Sequence, residues 1–243
     1  MSTRLATSEG AVTEQMIRYY EARAKGGVGL ILIEYSYIDD IASKAAICQL
    51  GVHRDDMIAG LADLADRIHF YGAKVFLQLC HGGGQSPKQI INQNPVAPSA
   101  VHTKQGDIAT PLTIEEIEGI INSFSAAAAR VKRAGFDGVE IHGAHGYLVH
   151  QFLSANYNKR DDAYGSDFES RTRLPLELVE EIRKTVGVDY PVGFRLNMKD
   201  FISGGIDIDE SLEFIKKLET NGANYVHVTA GTYVSHHYMI SPI

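Results

Sequence analysis

Gly138-Val139-Glu140-Ile141-His142-Gly143-Ala144-His145-Gly146-Tyr147-Leu148 is the stretch whose reading decides the fold. Val139 and Ile141 alternate with Glu140 and His142, which is the pattern of a strand with two unlike faces. The same parity recurs elsewhere. Lys74–Cys80 sets Val75, Leu77 and Leu79 against Gln78 and Cys80, and Val192–Asn197 sets Val192, Phe194 and Leu196 against Arg195 and Asn197. Tyr225–Thr229 sets Val226 and Val228 against His227 and Thr229, and Val28–Tyr35 adds a fifth, mostly apolar run.

Longer stretches of helical period lie between these strands, at Thr13–Ala24, Arg54–Tyr71, Ile114–Ala134, Leu174–Val186 and Ile208–Asn221. Thr113 followed by Glu115 and Glu116 marks one helix start; Lys132 and Arg133 before Gly135 mark its end. Strand and helix alternate, so the sheet is parallel and covered by helices. An open sheet with helices on both faces would be apolar on both. Here one face carries charge, as the inside of a barrel does, with polar residues at the C-terminal rim reaching a site. The competing account of the inner face is structural, an interior ion pair such as Glu140 with Arg195.

The 243 residues match a single barrel domain spanning 1–243, with no fixed-period repeat and no Pro, Gly or Ser-rich linker. With 44% apolar and 22% charged residues the composition is that of a globular protein, which excludes disorder, collagen and coiled coil. A net charge of −7 argues against nucleic acid or an anionic membrane as partner. Arg4, Glu9, Glu14 and Arg18 stand where a signal peptide needs an apolar core, and Val28–Ile33 is too short to span a bilayer. A cytoplasmic location is expected, and a homo-oligomer stays open. Cys48 and Cys80 read as buried thiols, and no CxxC is present to hold zinc or an iron–sulfur cluster.

Immediately after the deciding strand, His142, His145 and Tyr147 place two imidazoles and a phenol within six residues. Three accounts compete. A metal site lacks a clear third ligand. A structural account satisfies the histidines with interior carboxylates such as Glu140. A catalytic account makes the imidazoles donors to a substrate oxygen and the tyrosine an acid.

At these residues the chain resembles the old yellow enzyme-like flavin oxidoreductases, FMN-dependent (β/α)₈ barrels. The segment 138–148, followed by Asn158-Lys-Arg160-Asp-Asp162-Ala-Tyr164-Gly165, is similar to the family's His-x-Ala-His/Asn-Gly-Tyr-Leu and Asn-x-Arg-x-Asp-x-Tyr-Gly-Gly. Further matches run through Arg23-Ala-Lys-Gly-Gly-Val-Gly-Leu, Gln78-Leu-Cys-His-Gly-Gly, Ala97-Pro-Ser-Ala, Gly193-Phe-Arg195-Leu-Asn and Val226-His-Val-Thr-Ala-Gly. The subgroup it most resembles includes 2,4-dienoyl-CoA reductases and enoate reductases. The resemblance implies that His142 and His145 hold the carbonyl oxygen of an α,β-unsaturated substrate, an enone, enoate or enoyl thioester, and that Tyr147 protonates its α-carbon. It implies hydride from FMN, with NAD(P)H as reductant, and flavin contacts from Gln78, Arg195, Ser2 and Tyr35. No metal is implied.

The usual Tyr-Gly-Gly-Ser-x-Glu-Asn-Arg appears as Tyr164-Gly-Ser-Asp-Phe-Glu-Ser-Arg171, which alters a loop rather than the chemistry. Arg160, Asp162, Arg171 and Arg173 read as structural ion pairing. His236 and His237 read as pocket lining or as surface, and His81 with Gly82–Gly84 is a weak phosphate signal. Five strands are readable where the barrel has eight. Aligned on the motifs, they correspond to about strands 2–6 of an incomplete (β/α)₈ TIM barrel, with strands 7 and 8, whose loops usually hold the cofactor phosphate, missing. The chain therefore reads as a segment of a longer protein. Two other functions stay open: a catalytically silent fragment that folds only by association, and a flavin-free lyase or isomerase using the same histidines and Tyr147.

Overall fold

The computed structural model describes residues 2–102 and 106–238. Elements in chain order are α1 Glu14–Lys25, β1 Leu30–Tyr37, α2 Ile58–His69, β2 Lys74–Cys80, α3 Lys88–Ile91, β3 Val96–Ala97, β4 Thr110–Pro111, α4 Ile114–Arg133, β5 Gly138–Gly143, α5 Leu148–Leu153, α6 Phe168–Val186, β6 Val192–Asn197, α7 Ile208–Thr220 and β7 Tyr225–Thr229. Five strands form one all-parallel sheet in the order β1-β2-β5-β6-β7. The fold is α/β, five consecutive strands of a TIM barrel with their helices, and the edges of β1 and β7 are unpaired among the described residues.

Side-chain parity is as the sequence reads. Val75, Leu77, Leu79, Val139, Ile141, Val192, Phe194 and Leu196 are all sealed from solvent on the helix-covered face. Each such side chain contributes roughly 1.5–3 kcal/mol relative to exposure. Gln78, Glu140, Arg195 and His227 share the opposite face. Below them, at the N-terminal end, Phe76 and Tyr225 lie across the sheet with ring centroids 5.9 Å apart. Gly138 and Gly193 make that possible: a Cβ at Gly193 would stand 2.0 Å from the Tyr225 ring, and one at Gly138 would stand 2.7 Å from the Phe76 ring.

Helix starts follow local chemistry. Thr113 and Glu116 form a reciprocal capping box, with Thr113 Oγ1 accepting from Glu116 N (3.2 Å) and Glu116 Oε2 from Thr113 N (2.8 Å). Asp167 caps α6 by accepting from Ser170 N, so the helix begins at Phe168 rather than at Leu174. Pro175, which would suit a helix start, is instead buried inside the helix.

Other boundaries also shift. β1 runs two residues later than Val28–Tyr35 because Tyr37 still exchanges backbone bonds with Leu50 and Val52, across a register irregularity between Ile33 and Ser36. The long stretch after β2 holds the short parallel pair β3 and β4. Cys80 is buried, but Cys48 is only half-buried, in a left-handed turn outside the core. No helix among the described residues is long and apolar enough to cross a membrane.

Candidate active site

The turn after β5 builds the site. His145 and Gly146 both have positive φ, 63° and 82°. For a histidine this conformation costs about 1–2 kcal/mol, so something must hold it. His150 Nδ1 accepts from Gly146 N (3.1 Å), Gln151 Nε2 donates to Gly146 O (2.8 Å), and Asn197 Oδ1 accepts from His145 N (3.4 Å). The first of these bonds leaves the His150 proton on Nε2, which donates to Asp200 Oδ1 at 2.8 Å. Asp200 also accepts from Asn197 Nδ2, Ser154 Oγ and Ile206 N. Burial by itself would raise this carboxyl, yet the His150 contact and these hydrogen bonds hold it at about 2.

On that base the turn gathers three rings. His142 lies 5.2 Å from His145 and 5.0 Å from Tyr147, centroid to centroid. Tyr35, from β1, stands 5.3 Å from Tyr147 and 6.1 Å from His142. Burial pushes His142 well below the ordinary imidazole range, helped by His145 and Arg195 nearby, and brings His145 to about 3. Both are neutral at physiological pH. Burial also pushes the Tyr147 phenol well above 10, with Tyr35 and Tyr233 adding to the shift, and pushes Tyr35 up to about 12.

Sequence reasoning did not single out Tyr233. Its hydroxyl is 2.5 Å from that of Tyr147, across 86 residues of chain. The signal available was position: Tyr233 lies four residues past Thr229, at the C-terminal end of a strand, where barrels place functional side chains. Ser235 anchors its loop by donating to Asp200 O (2.6 Å). Two cavities flank the cluster. One, of about 400 Å³, is lined by Arg4, Tyr35, Gln85, Tyr147 and Tyr233 among smaller apolar side chains. The other, of about 700 Å³, brings Ser2, Gln78 and Arg195 together and opens along the unpaired edge of β1.

The interior ion pair offered as the competing account of the inner face takes a different form. Glu140 accepts from Gln78 Nε2 (2.6 Å) and contacts His227 Nδ1 (3.1 Å), not Arg195. The register explains this: Glu140 stands opposite Gln78 on one side and Gly193 on the other, while Arg195 stands opposite His142 and His227. Nor do carboxylates satisfy the site histidines, since His145 Nε2 meets Thr229 Oγ1 at 2.9 Å and His142 Nδ1 is buried without a partner. Arg195 Nε is likewise buried and unpartnered. Ser2 is engaged by the protein, donating to Glu34 Oε1 (2.8 Å). Glu34, another residue sequence reasoning passed over, also accepts from Thr3 N and Tyr20 OH.

Away from the site, Arg160 pairs with Asp162, Arg171 with Glu210 and Arg173 with Glu177, all as structural bridges. His236 and His237 are exposed in a short helical turn and line neither cavity. His81 is buried, its Nδ1 accepting from Gly83 N. No cluster of three or more metal-ligating side chains occurs among the described residues.

The sequence profile of the NADH:flavin oxidoreductase / NADH oxidase family matches residues 1–241. The chain belongs to this family. It is 45% identical over 244 aligned residues to an NADH oxidase of Thermoanaerobacter brockii, covering all of this chain and 38% of that protein. Among solved structures, a 2-naphthoyl-CoA reductase in complex with 2-naphthoyl-CoA superposes with a TM-score of 0.91 at 32% identity, over 97% of this chain and 38% of the other. The old yellow enzyme homologue of Zymomonas mobilis superposes with a TM-score of 0.86 at 29% identity, over 96% and 68%. This member of the family thus spans about two fifths of the length of the first two.

Proposed function

We propose that the protein is an FMN-dependent oxidoreductase that reduces the C=C bond of an α,β-unsaturated carbonyl compound, an enoate or an enoyl thioester, with NAD(P)H as reductant. One observation carries the reading: at one end of the sheet the ring cluster of His142, His145 and Tyr147 lies beside the cavity that gathers Gln78, Arg195 and Ser2. The donor set suits a flavin. Arg195 Nε is buried without a partner, and Gln78 Nε2 is taken by Glu140, which leaves its amide oxygen to accept from an imide N–H. Gln78, Arg195, Ser2 and Tyr35 are the residues that would hold the group, and a fixed positive charge from Arg195 favours the anionic reduced form. FMN, when bound, supplies the hydride.

The remaining chemistry belongs to the chain. Neutral His142 and His145 donate to the substrate's carbonyl oxygen and stabilise the negative charge that develops there. Their neutrality suits this role, because they donate hydrogen bonds without titrating near pH 7. Tyr147 keeps its proton at neutral pH and gives it to the α-carbon, with Tyr233 beside it as hydrogen-bond partner.

The test is a flavin spectrum of the purified protein after addition of FMN, followed by anaerobic reoxidation of the reduced flavin with 2-cyclohexenone. Bound flavin that the enone does not reoxidise would refute the assigned reaction. A second reading, a silent portion of a barrel that folds only by association, is favoured by the edges of β1 and β7, unpaired among the described residues. A colourless, aggregating preparation would favour it.

A further inference from the structure

Of the twelve arginines in the sequence, ten donate to a protein oxygen; Arg4 and Arg195 do not, among the described residues. Each lines one of the two cavities beside the ring cluster. Arg195 belongs to the cavity assigned to the flavin. Arg4 belongs to the other, where it is the one charged residue of the lining. Its companions there are three phenols, one amide and small or aliphatic side chains.

The backbone of Arg4 is tied to the segment that carries Ser2. Its N–H bonds Ser2 Oγ (3.2 Å), and its φ of 55° turns the chain sharply. Ser2 Oγ and Thr3 N in turn both bond the buried carboxylate of Glu34, each at 2.8 Å. These contacts hold the backbone, and from it the exposed side chain lines a cavity with no anion of its own, so its guanidinium lacks a planar oxygen acceptor. Phenols in the same cavity add hydroxyl donors.

We propose that Arg4 binds a carboxylate of the substrate, so that the protein prefers unsaturated carbonyl compounds that carry an anionic carboxylate in addition to the carbonyl held by His142 and His145. This rests on the ene-reduction reading and adds to it the substrate class.

An acid and ester pair with one alkene tests it: 4-oxo-2-pentenoate against its methyl ester, with the FMN-loaded protein and its R4Q and R4K variants. The expected result is a fall of about ten- to a hundredfold in the acid-to-ester ratio of kcat/KM for R4Q, carried mainly by KM for the acid, with part of the preference kept by R4K. Calorimetry with 4-oxopentanoate, which has no alkene to reduce, should show binding by the unsubstituted protein that is weakened to the same degree in R4Q. An unchanged ratio together with unchanged calorimetric binding overturns the proposal. It is also overturned if R4Q leaves that ratio intact and instead slows flavin reduction by NADH but not by 1-benzyl-1,4-dihydronicotinamide, which would assign Arg4 to the pyrophosphate of the nucleotide. If neither alkene is reduced by the unsubstituted protein, the ene-reduction reading fails by itself, and calorimetry still decides the role of Arg4.

Discussion

The turn after β5 and the outer edges of the sheet are built to opposite standards. In the turn, His142, His145, Tyr147 and His150 are all at most 9% exposed, and Asp200 ties three loops together from beneath. At the edges, Leu30 on β1 is 50% exposed and Val228 on β7 is 58% exposed, and the cavity beside Arg195 opens along β1. The ring cluster is braced from within these residues. The cavity beside Arg195 is not closed by them. The contrast teaches that a cluster of rings on one turn can be braced by local partners alone, while a cavity gathered from several strands stays open wherever one of those strands has a bare edge.

The sharpest way to break the comparison is at its best-braced residue. Tyr147→Phe removes the proposed acid and keeps the ring, so C=C reduction should fall about a hundred- to ten-thousandfold while flavin reduction by NAD(P)H persists. Anaerobic half-reaction kinetics separate the two. Equal loss in both half-reactions would show that the phenol organises the site rather than acting as its acid.

Next in size is Asp200→Ala, which strips the partner from a buried imidazole. Its cost should be about 3–5 kcal/mol, because His150 is left sealed from solvent with its Nε2–H unanswered. Denaturant titration measures it. A loss under ~1 kcal/mol would mean that the loops hold the turn without the pair.

Acid comes third. His142 and His145 have folded values depressed below the ordinary imidazole range, so between about pH 6.5 and 3 the unfolded chain binds more protons than the folded one. Stability is therefore full above pH ~6.5 and falls as the pH is lowered, by about 1.4 kcal/mol per unit for each histidine while it titrates only in the unfolded state. Asp200, held at about 2, adds loss of the same sign below pH ~4. For the same reason the reduction rate should show no break near pH 6.5 from the site histidines; a break there would mean that one of them carries charge.

Much of this was legible in the chain and the rest had a physical reason for being hidden. Five strands and the five long helices follow from alternation and capping, which are local. The roles of Glu34, Asp200 and Tyr233 do not, because each acts through partners far away in sequence: Ser2 with Glu34 across 32 residues, His150 with Asp200 across 50, Tyr147 with Tyr233 across 86. His142, His145 and Tyr147 could be grouped from sequence because one turn carries all three. The inner-face pairing of Glu140 was misjudged for the complementary reason: parity gives the face, but strand register decides the neighbour.

The smallest expected effect probes the weaker side of the comparison. Val228 projects from the helix-covered face of β7, yet more than half of it meets solvent. Val228→Lys should therefore change the stability of this chain by no more than about 0.5 kcal/mol, the range of surface substitutions. It should also reduce self-association, since a lysine on an unpaired strand discourages edge-to-edge pairing. Denaturant titration and sedimentation read the two effects. In a longer protein whose further strands and helices close over β7, the same lysine would bury a charge and cost several kcal/mol. The size of this one substitution thus separates an open edge from a covered one.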